Sequence, residues 1–252
     1  MTRRGDADLS VVARLLADPS RCRMLLALDD GRALPASRLA GEAGVSAATA
    51  SSHLGKLVDA GFLTVEPHGR HRYYRLSGPE VGRLLEMMAT LAPASEIHSL
   101  REDTRARALR EARTCYDHIA GRLGVAIMRS LLVRRLIAGG DGQFHPGHAG
   151  SDRLSAYGHE VDYQITSEGF AFLDRFGVAI PPRRPVVRYC VDWSEQAHHL
   201  AGGVGRGLLD RMLELDWIAR RPDGRALDIS DAGLAGLAEH FSIELEAELR
   251  AA

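Results

Sequence analysis

The sequence predicts a mainly α fold with small β-hairpins, and three observations predict it. Apolar residues recur at helical spacing through most of the first ninety positions. Strand-like alternation is confined there to two short stretches around residues 62–76. A third stretch, near the middle of the chain, recurs about eighty residues further on, so the C-terminal part carries an internal repeat.

Leu9, Val12, Leu15 and Leu16 form one apolar stripe, and Met24, Leu25 and Leu28 form another. Asp18-Pro19-Ser20 separates them, with Ser20 as the expected N-cap, and Asp30-Gly31 ends the second helix. Next comes ASRLAGEAGVSAATASSHLGKLVDAGFLTVEPHGRHRYYRLS. Its spacing is that of a helix-turn-helix. Ala40 is small where two helices cross. Gly44 takes the positive φ of the turn, Val45 plugs the gap, and Ser46 caps the second helix. Ala50, Leu54, Leu57 and Val58 face inward. Ala48, Thr49, Ser52, Lys56 and Asp59 lie on the opposite face, flanked by Ser51 and His53. Short hydroxyl side chains and one lysine suit a major groove; an ordinary solvated face is the alternative.

Phe62–Val65 alternates as a strand, Pro67-His68-Gly69 turns, and Arg70–Leu76 returns. This hairpin is a wing whose Arg70 and Arg72 reach phosphates or an adjacent minor groove. The DNA-binding set expected is therefore Ala48, Thr49, Ser51, Ser52, His53, Lys56, Arg70 and Arg72.

The stretch GVSAATASSHLGKLVDAGFLTVEPHGRHRYYRL, set in this order of helices, resembles the ArsR/SmtB family of bacterial repressors. The resemblance covers roughly residues 8–92. It implies a homodimer on a pseudo-palindromic double-stranded operator. It also implies a dimer interface made by the first helix and the helix after the wing, SGPEVGRLLEMMATLA. That helix carries a long stripe of Val81, Leu84, Leu85, Met88 and Leu91, more than one small domain buries, which independently calls for a partner helix. One departure matters. Metal-sensing members carry a cysteine pair in the first helix of the motif, but here that helix reads LPASRLAGEA. An arsenic-type site is absent, so any sensing belongs elsewhere in the chain.

Composition narrows the classes further. The formal net charge of −1 over 252 residues excludes a strong global field for nucleic acid, so binding needs a local patch. Lys56 is the single lysine, which fits a GC-rich coding bias. No run of 18 apolar residues is present, and the N-terminus has no cleavage signature. Cys22, Cys115 and Cys190 are too few and too scattered for a disulfide framework. A cytoplasmic protein with no membrane partner is expected.

The expected organisation is a DNA-binding and dimerisation domain over 1–94, a charged connecting helix over 95–114 and a sensing domain over 115–252. The last is read as two degenerate winged-helix-like repeats, 115–180 and 186–252, divided at Pro181-Pro-Arg-Arg-Pro185. His118-Ile-Ala-Gly-Arg-Leu-Gly matches His199-Leu-Ala-Gly-Gly-Val-Gly. Upstream, Cys115-Tyr-Asp117 matches Cys190-Val-Asp192. The segment GGDGQFHPGHAGSDRLSAYGHE reads as a long loop in the first repeat. Asp210, Glu214 and Asp216 repel phosphate, so the second repeat is expected to sense or dimerise and not to bind DNA.

Four readings of the repeated motif stay open. Cys115, His118, Cys190 and His198 or His199 suit tetrahedral zinc or another thiophilic metal, with Asp117 and Asp192 as ligands or as carboxylates orienting the histidines. Cys115 and Cys190, each just before a predicted helix, could form a reversible disulfide. As purely structural residues, Asp117 and Asp192 would be N-caps and the histidines packed. The glycine pairs 121/124 and 202/205 then mark close helix packing, since each glycine costs a helix roughly 1 kcal/mol. The fourth reading is an organic effector in an apolar pocket lined by Tyr116, Trp193 and the histidines. No Walker loop, dinucleotide fingerprint, GxSxG or HExxH occurs. The chain is expected not to be an enzyme; a thiol-dependent enzyme or interaction module using Cys115 and His118 is the alternative.

Overall fold

The computed structural model describes residues 8–68, 71–92, 100–145, 158, 161–182, 185–222 and 224–245. The chain forms two compact units, Met1–Gly82 and Arg83–Ala252.

The first unit holds α1 (Leu9–Leu16), α2 (Pro19–Ala27), β1 (Leu34–Pro35), α3 (Ala36–Ala43), α4 (Ala47–Asp59), β2 (Leu63–His68) and β3 (His71–Leu76). The cap of α2 is Asp18, not Ser20. Its carboxylate accepts from the Ser20 and Arg21 N–H groups, and Pro19 follows as the first helical residue, where its missing N–H costs nothing. Gly44 ends α3 at φ +67°, the left-handed conformation that a glycine adopts without strain. Ser46 then caps α4, accepting from the Thr49 N–H. Leu39, Ala50, Leu54 and Leu57 are buried and hold α3 and α4 together. The three strands pair antiparallel in the order β1-β3-β2, with His68 opposite His71 at the tip. This is a winged helix-turn-helix.

Helix α5 (Pro79–Leu91) follows, and α6 (Leu100–Glu111) opens the rest of the second unit. Residues 95–114 do not form one free connecting helix. α6 packs on α7, β4 and β11, and residues 113–115 are already a strand. The hairpin β4 (Arg113–Cys115) and β5 (His118–Ala120) leads into α7 (Gly121–Val133), the pair β6 (Ile137–Ala138) and β7 (Gln164–Ile165), and α8 (Ser167–Phe176). The same order then returns. The hairpin β8 (Arg188–Val191) and β9 (His198–Ala201) leads into α9 (Gly202–Glu214), the pair β10 (Ile218–Arg220) and β11 (Leu227–Ile229), and α10 (Asp231–Phe241).

Local details repeat as well. Gly121 and Gly202 sit at φ +77° and +75° between hairpin and helix. Thr166 and Ser230 each cap the last helix of their half through a glycine N–H, at Gly169 and Gly233. Both halves share one core that includes Leu123, Met128, Phe172, Val204, Met212 and Phe241. α7 packs on β9 and α9 packs on β5, so each half's helix covers the other half's hairpin.

Most of the glycine- and histidine-rich segment expected as a long loop lies outside the described residues. Among the described residues, no helix is long and apolar enough to cross a membrane.

Candidate functional site

The site is built by the two crossed hairpins. In the first, Cys115 and His118 are directly opposed; in the second, Cys190 and His199 are. Opposed residues in an antiparallel pair share one face, which brings a thiol and an imidazole together twice. Because β5 and β9 also touch, the two pairs meet. One ligand atom from each of Cys115, His118, Cys190 and His199 lies within 4.8 Å of every other. All four residues are buried, the most exposed being Cys115 at 6%. The two imidazoles stack with centroids 5.1 Å apart.

Two glycines make room for this convergence. A Cβ on Gly124 would lie 2.4 Å from the Ile119 carbonyl and 3.4 Å from the His199 Cβ. A Cβ on Gly205 would lie 2.6 Å from the Leu200 carbonyl and 3.1 Å from the His118 Cβ. Each helix thus presses its first turn against its own hairpin and against the histidine of the other half.

Carboxylates stand behind both histidines. Asp117 Oδ1 is 3.3 Å from His118 Nδ1, and Asp192 Oδ2 is 3.5 Å from His199 Nδ1. Asp192 is itself held from several sides. The Arg113 Nη2 donates to both its oxygens at 3.0 and 2.9 Å, the Gly121 N–H donates at 2.8 Å, and Ser194 donates through its N–H and its hydroxyl. Arg113 is fully buried, stacks over Trp193 at 4.7 Å, and also donates to the Leu109 carbonyl. Sequence reasoning missed Arg113. The signal was available: Arg113-Thr-Cys115 has the spacing of Arg188-Tyr-Cys190.

The electrostatics of the two histidines differ. Burial disfavours charge on His118, but the Cys115 sulfur and the hydrogen bond to Asp117 outweigh it and raise its pKa to about 9. His199 moves the other way. Burial, helped by repulsion from His118, Arg113 and His198, lowers it to about 3 against the pull of Asp192. With His199 neutral, its 3.5 Å approach to Asp192 is neither an ion pair nor a hydrogen bond. Burial also acts on Asp192, yet Arg113, His199, the Gly121 N–H and Ser194 hold its carboxyl well below the usual range. A hydrogen bond to Cys190, followed by burial, pushes the Cys115 thiol well above its ordinary value.

Several expectations need correction. His198 is not in the cluster. Strand residues alternate faces, and its Nδ1 instead meets the Tyr163 hydroxyl at 2.8 Å. Both cysteines lie on strands, so neither has a helix N-terminus to acidify it. Neither Asp117 nor Asp192 caps a helix. Ala120 and Ala201 occupy those positions, and Asp192 instead accepts from the Ser194 and Glu195 N–H groups in its hairpin turn.

In the first unit, Ala48, Thr49, Ser51, Ser52 and Lys56 are exposed along α4, and Arg72 is exposed on the wing. Arg70 lies outside the described residues. His53 is drawn off this face: its Nδ1 is 3.3 Å from Arg21 Nη1, and its side chain is only 14% exposed.

Residues 16–66 match a family model described as a helix-turn-helix domain. The chain is 38% identical over 242 residues to the "uncharacterized HTH-type transcriptional regulator YdfF" of Bacillus subtilis strain 168, covering 94% of this chain and 99% of that one. The chain belongs to the HTH-type transcriptional regulators. A shorter relative, the "HTH-type transcriptional regulator CmtR" of Mycobacterium tuberculosis, is 36% identical over 80 residues, 32% of this chain and 67% of its own. Among solved structures, the homodimeric winged helix-turn-helix domain of Mb0332 from Mycobacterium bovis, a possible ArsR-family regulator, is 26% identical. It covers 38% of this chain and all of its own, with a TM-score of 0.30. Reduced HlyU from Vibrio cholerae is 25% identical over 34% of this regulator and 88% of its own chain, with a TM-score of 0.31.

Proposed function

We propose that this regulator is a homodimeric repressor whose grip on its operator is set by a thiophilic metal ion at Cys115, His118, Cys190 and His199. The observation that carries this reading is the convergence of two thiols and two imidazoles from hairpins about eighty residues apart. His199 strengthens it. Its Nε2 is buried with no hydrogen-bond partner, and a buried polar atom left so is costly unless something fills the role. A metal ion would do so, with the Asp192 carboxylate 3.5 Å away on the Nδ1 side. The geometry favours this over an organic effector, because the four groups face one another at close quarters. Cys115 serves as a ligand and not as a catalytic nucleophile.

DNA binding is assigned to α4, through Ala48, Thr49, Ser51, Ser52 and Lys56, and to the wing, through Arg70 and Arg72. Leu9 and Val11 on α1 are 75% and 52% exposed, and Met88 and Leu91 on α5 are 37% and 86% exposed. Such apolar faces support dimerisation through these helices. Two recognition helices would then meet successive major grooves of a pseudo-palindrome about 34 Å apart. The two hairpin-helix sets of the second unit are read as degenerate winged-helix repeats that have exchanged DNA reading for ligand binding.

The test is fluorescence anisotropy of the full-length protein on DNA from upstream of its own gene, with zinc added or chelated. A change in affinity of tenfold or more between the two conditions is expected, and its loss in Cys115→Ser. Binding that ignores both zinc and chelator would refute the metal reading; no binding in any condition would refute the regulator's assignment to its own promoter.

A further inference from the structure

We infer that the cluster is a closed, charge-matched site for one divalent, tetrahedral ion, and that this ion clasps the two halves of the second unit together; this rests on the metal reading above. Three features of the site point there.

The first is donor chemistry. Two thiolates and two imidazoles form the S2N2 set that suits zinc-like ions. Four protein donors fill a tetrahedron and leave no place for water, which marks a closed site rather than a catalytic one. Among the described residues, neither half supplies more than two donors, so the ion has to bridge β4–β5 to β8–β9.

The second is charge. Two thiolates and a divalent ion sum to zero, and imidazole coordinates an ion in its neutral form. That matters because the four residues are almost fully removed from water, where an uncompensated charge is expensive. A monovalent ion such as Cu(I) would leave one negative charge in the same place.

The third is the count of thiols. Trivalent arsenic and antimony favour three thiolates in a pyramid, and this site offers two. The remaining cysteine, Cys22, sits in the first unit with its thiol donating to the Leu16 carbonyl at 2.9 Å.

Titration of the reduced, metal-free full-length chain with Co(II) tests this. One equivalent should give the intense visible bands of tetrahedral cobalt together with a thiolate-to-cobalt charge-transfer band. One equivalent of Zn(II) should abolish both, whereas arsenite at the same concentration should leave them. Cu(I), supplied with a buffering ligand, should compete less well than Zn(II). Zinc should also raise the midpoint of thermal unfolding of the second unit. Cys190→Ser and His118→Gln should each lose the tetrahedral spectrum, with far-ultraviolet circular dichroism confirming that they still fold. Weak octahedral bands, displacement by arsenite, or a Cu(I) preference would overturn the inference. A tetrahedral spectrum with no effect of metal on DNA binding would uphold this site and defeat the regulatory reading. Metal-responsive DNA binding with octahedral cobalt would do the reverse.

Discussion

The two halves of the second unit share one plan and differ in how firmly their shared positions are held. Arg113 and Arg188 occupy the same place, two residues before the cysteine and opposite the alanine that precedes the helix. Arg113 is wholly buried against Asp192, whereas Arg188 is exposed. The histidines differ in parallel: His118 is pushed up to about 9 and His199 down to about 3. The lesson is that a repeated motif duplicates donors without duplicating their surroundings. One half supplies a histidine held neutral in front of an anchored carboxylate. The other supplies a histidine whose neighbouring thiol and carboxylate favour its charged form.

The arginine pair offers the largest contrast. Arg113→Ala leaves a buried carboxylate without its counter-charge, which costs about 3–5 kcal/mol. Arg188→Ala, at an exposed position, should stay within about 0.5 kcal/mol. Urea unfolding of the two variants measures both, and equal losses would remove the asymmetry. Next come the glycines. Gly124→Ala and Gly205→Ala place a methyl group against a carbonyl and against His199 or His118, with an expected loss of about 1–3 kcal/mol each. Similar values for the two would show that the pressing of helix on hairpin is shared even where the electrostatics are not.

A subtler effect is expected of Asp192→Asn, which keeps the shape but weakens the orientation of His199. Metal affinity should fall by about 10–100-fold, read by competition with a chromogenic chelator, while the Cys115 and Cys190 ligands remain. The smallest effect belongs to the first unit. Arg72→Ala should weaken DNA binding alike on all sequences. It should also make the dependence of log affinity on log salt shallower by about 0.9, the change expected when one phosphate is no longer neutralised. An unchanged slope would take Arg72 out of the interface.

The first unit was legible in the sequence because each of its signals is local. Gly44, Ser46 and the alternation through 62–76 specify a turn, a cap and a hairpin within a few residues of themselves. One local misreading, Ser20 for Asp18, arose because both are good caps and only the position of Pro19 decides between them. In the second unit the recurring motif and its Cys and His pairs could be read in advance, but not the secondary structure at the motif. Cys-Tyr-Asp-His looked like a helix entry because apolar residues at helical spacing follow it, yet Tyr116 at φ +57° folds it into a tight hairpin. The choice between His198 and His199 needed the strand register, which sets the two on opposite faces. Arg113 was lost among the charges of the preceding helix, because its partner lies seventy-nine residues away.

The most direct measurement is the metal content of the purified, zinc-reconstituted protein by mass spectrometry, for the native chain and for Cys115→Ser and Cys190→Ser. One ion per native chain is predicted, with the ion lost from both variants alike, because each half supplies a ligand that the other cannot replace. A native chain that holds no metal, or a variant that keeps its full equivalent, would contradict a site shared between the two halves.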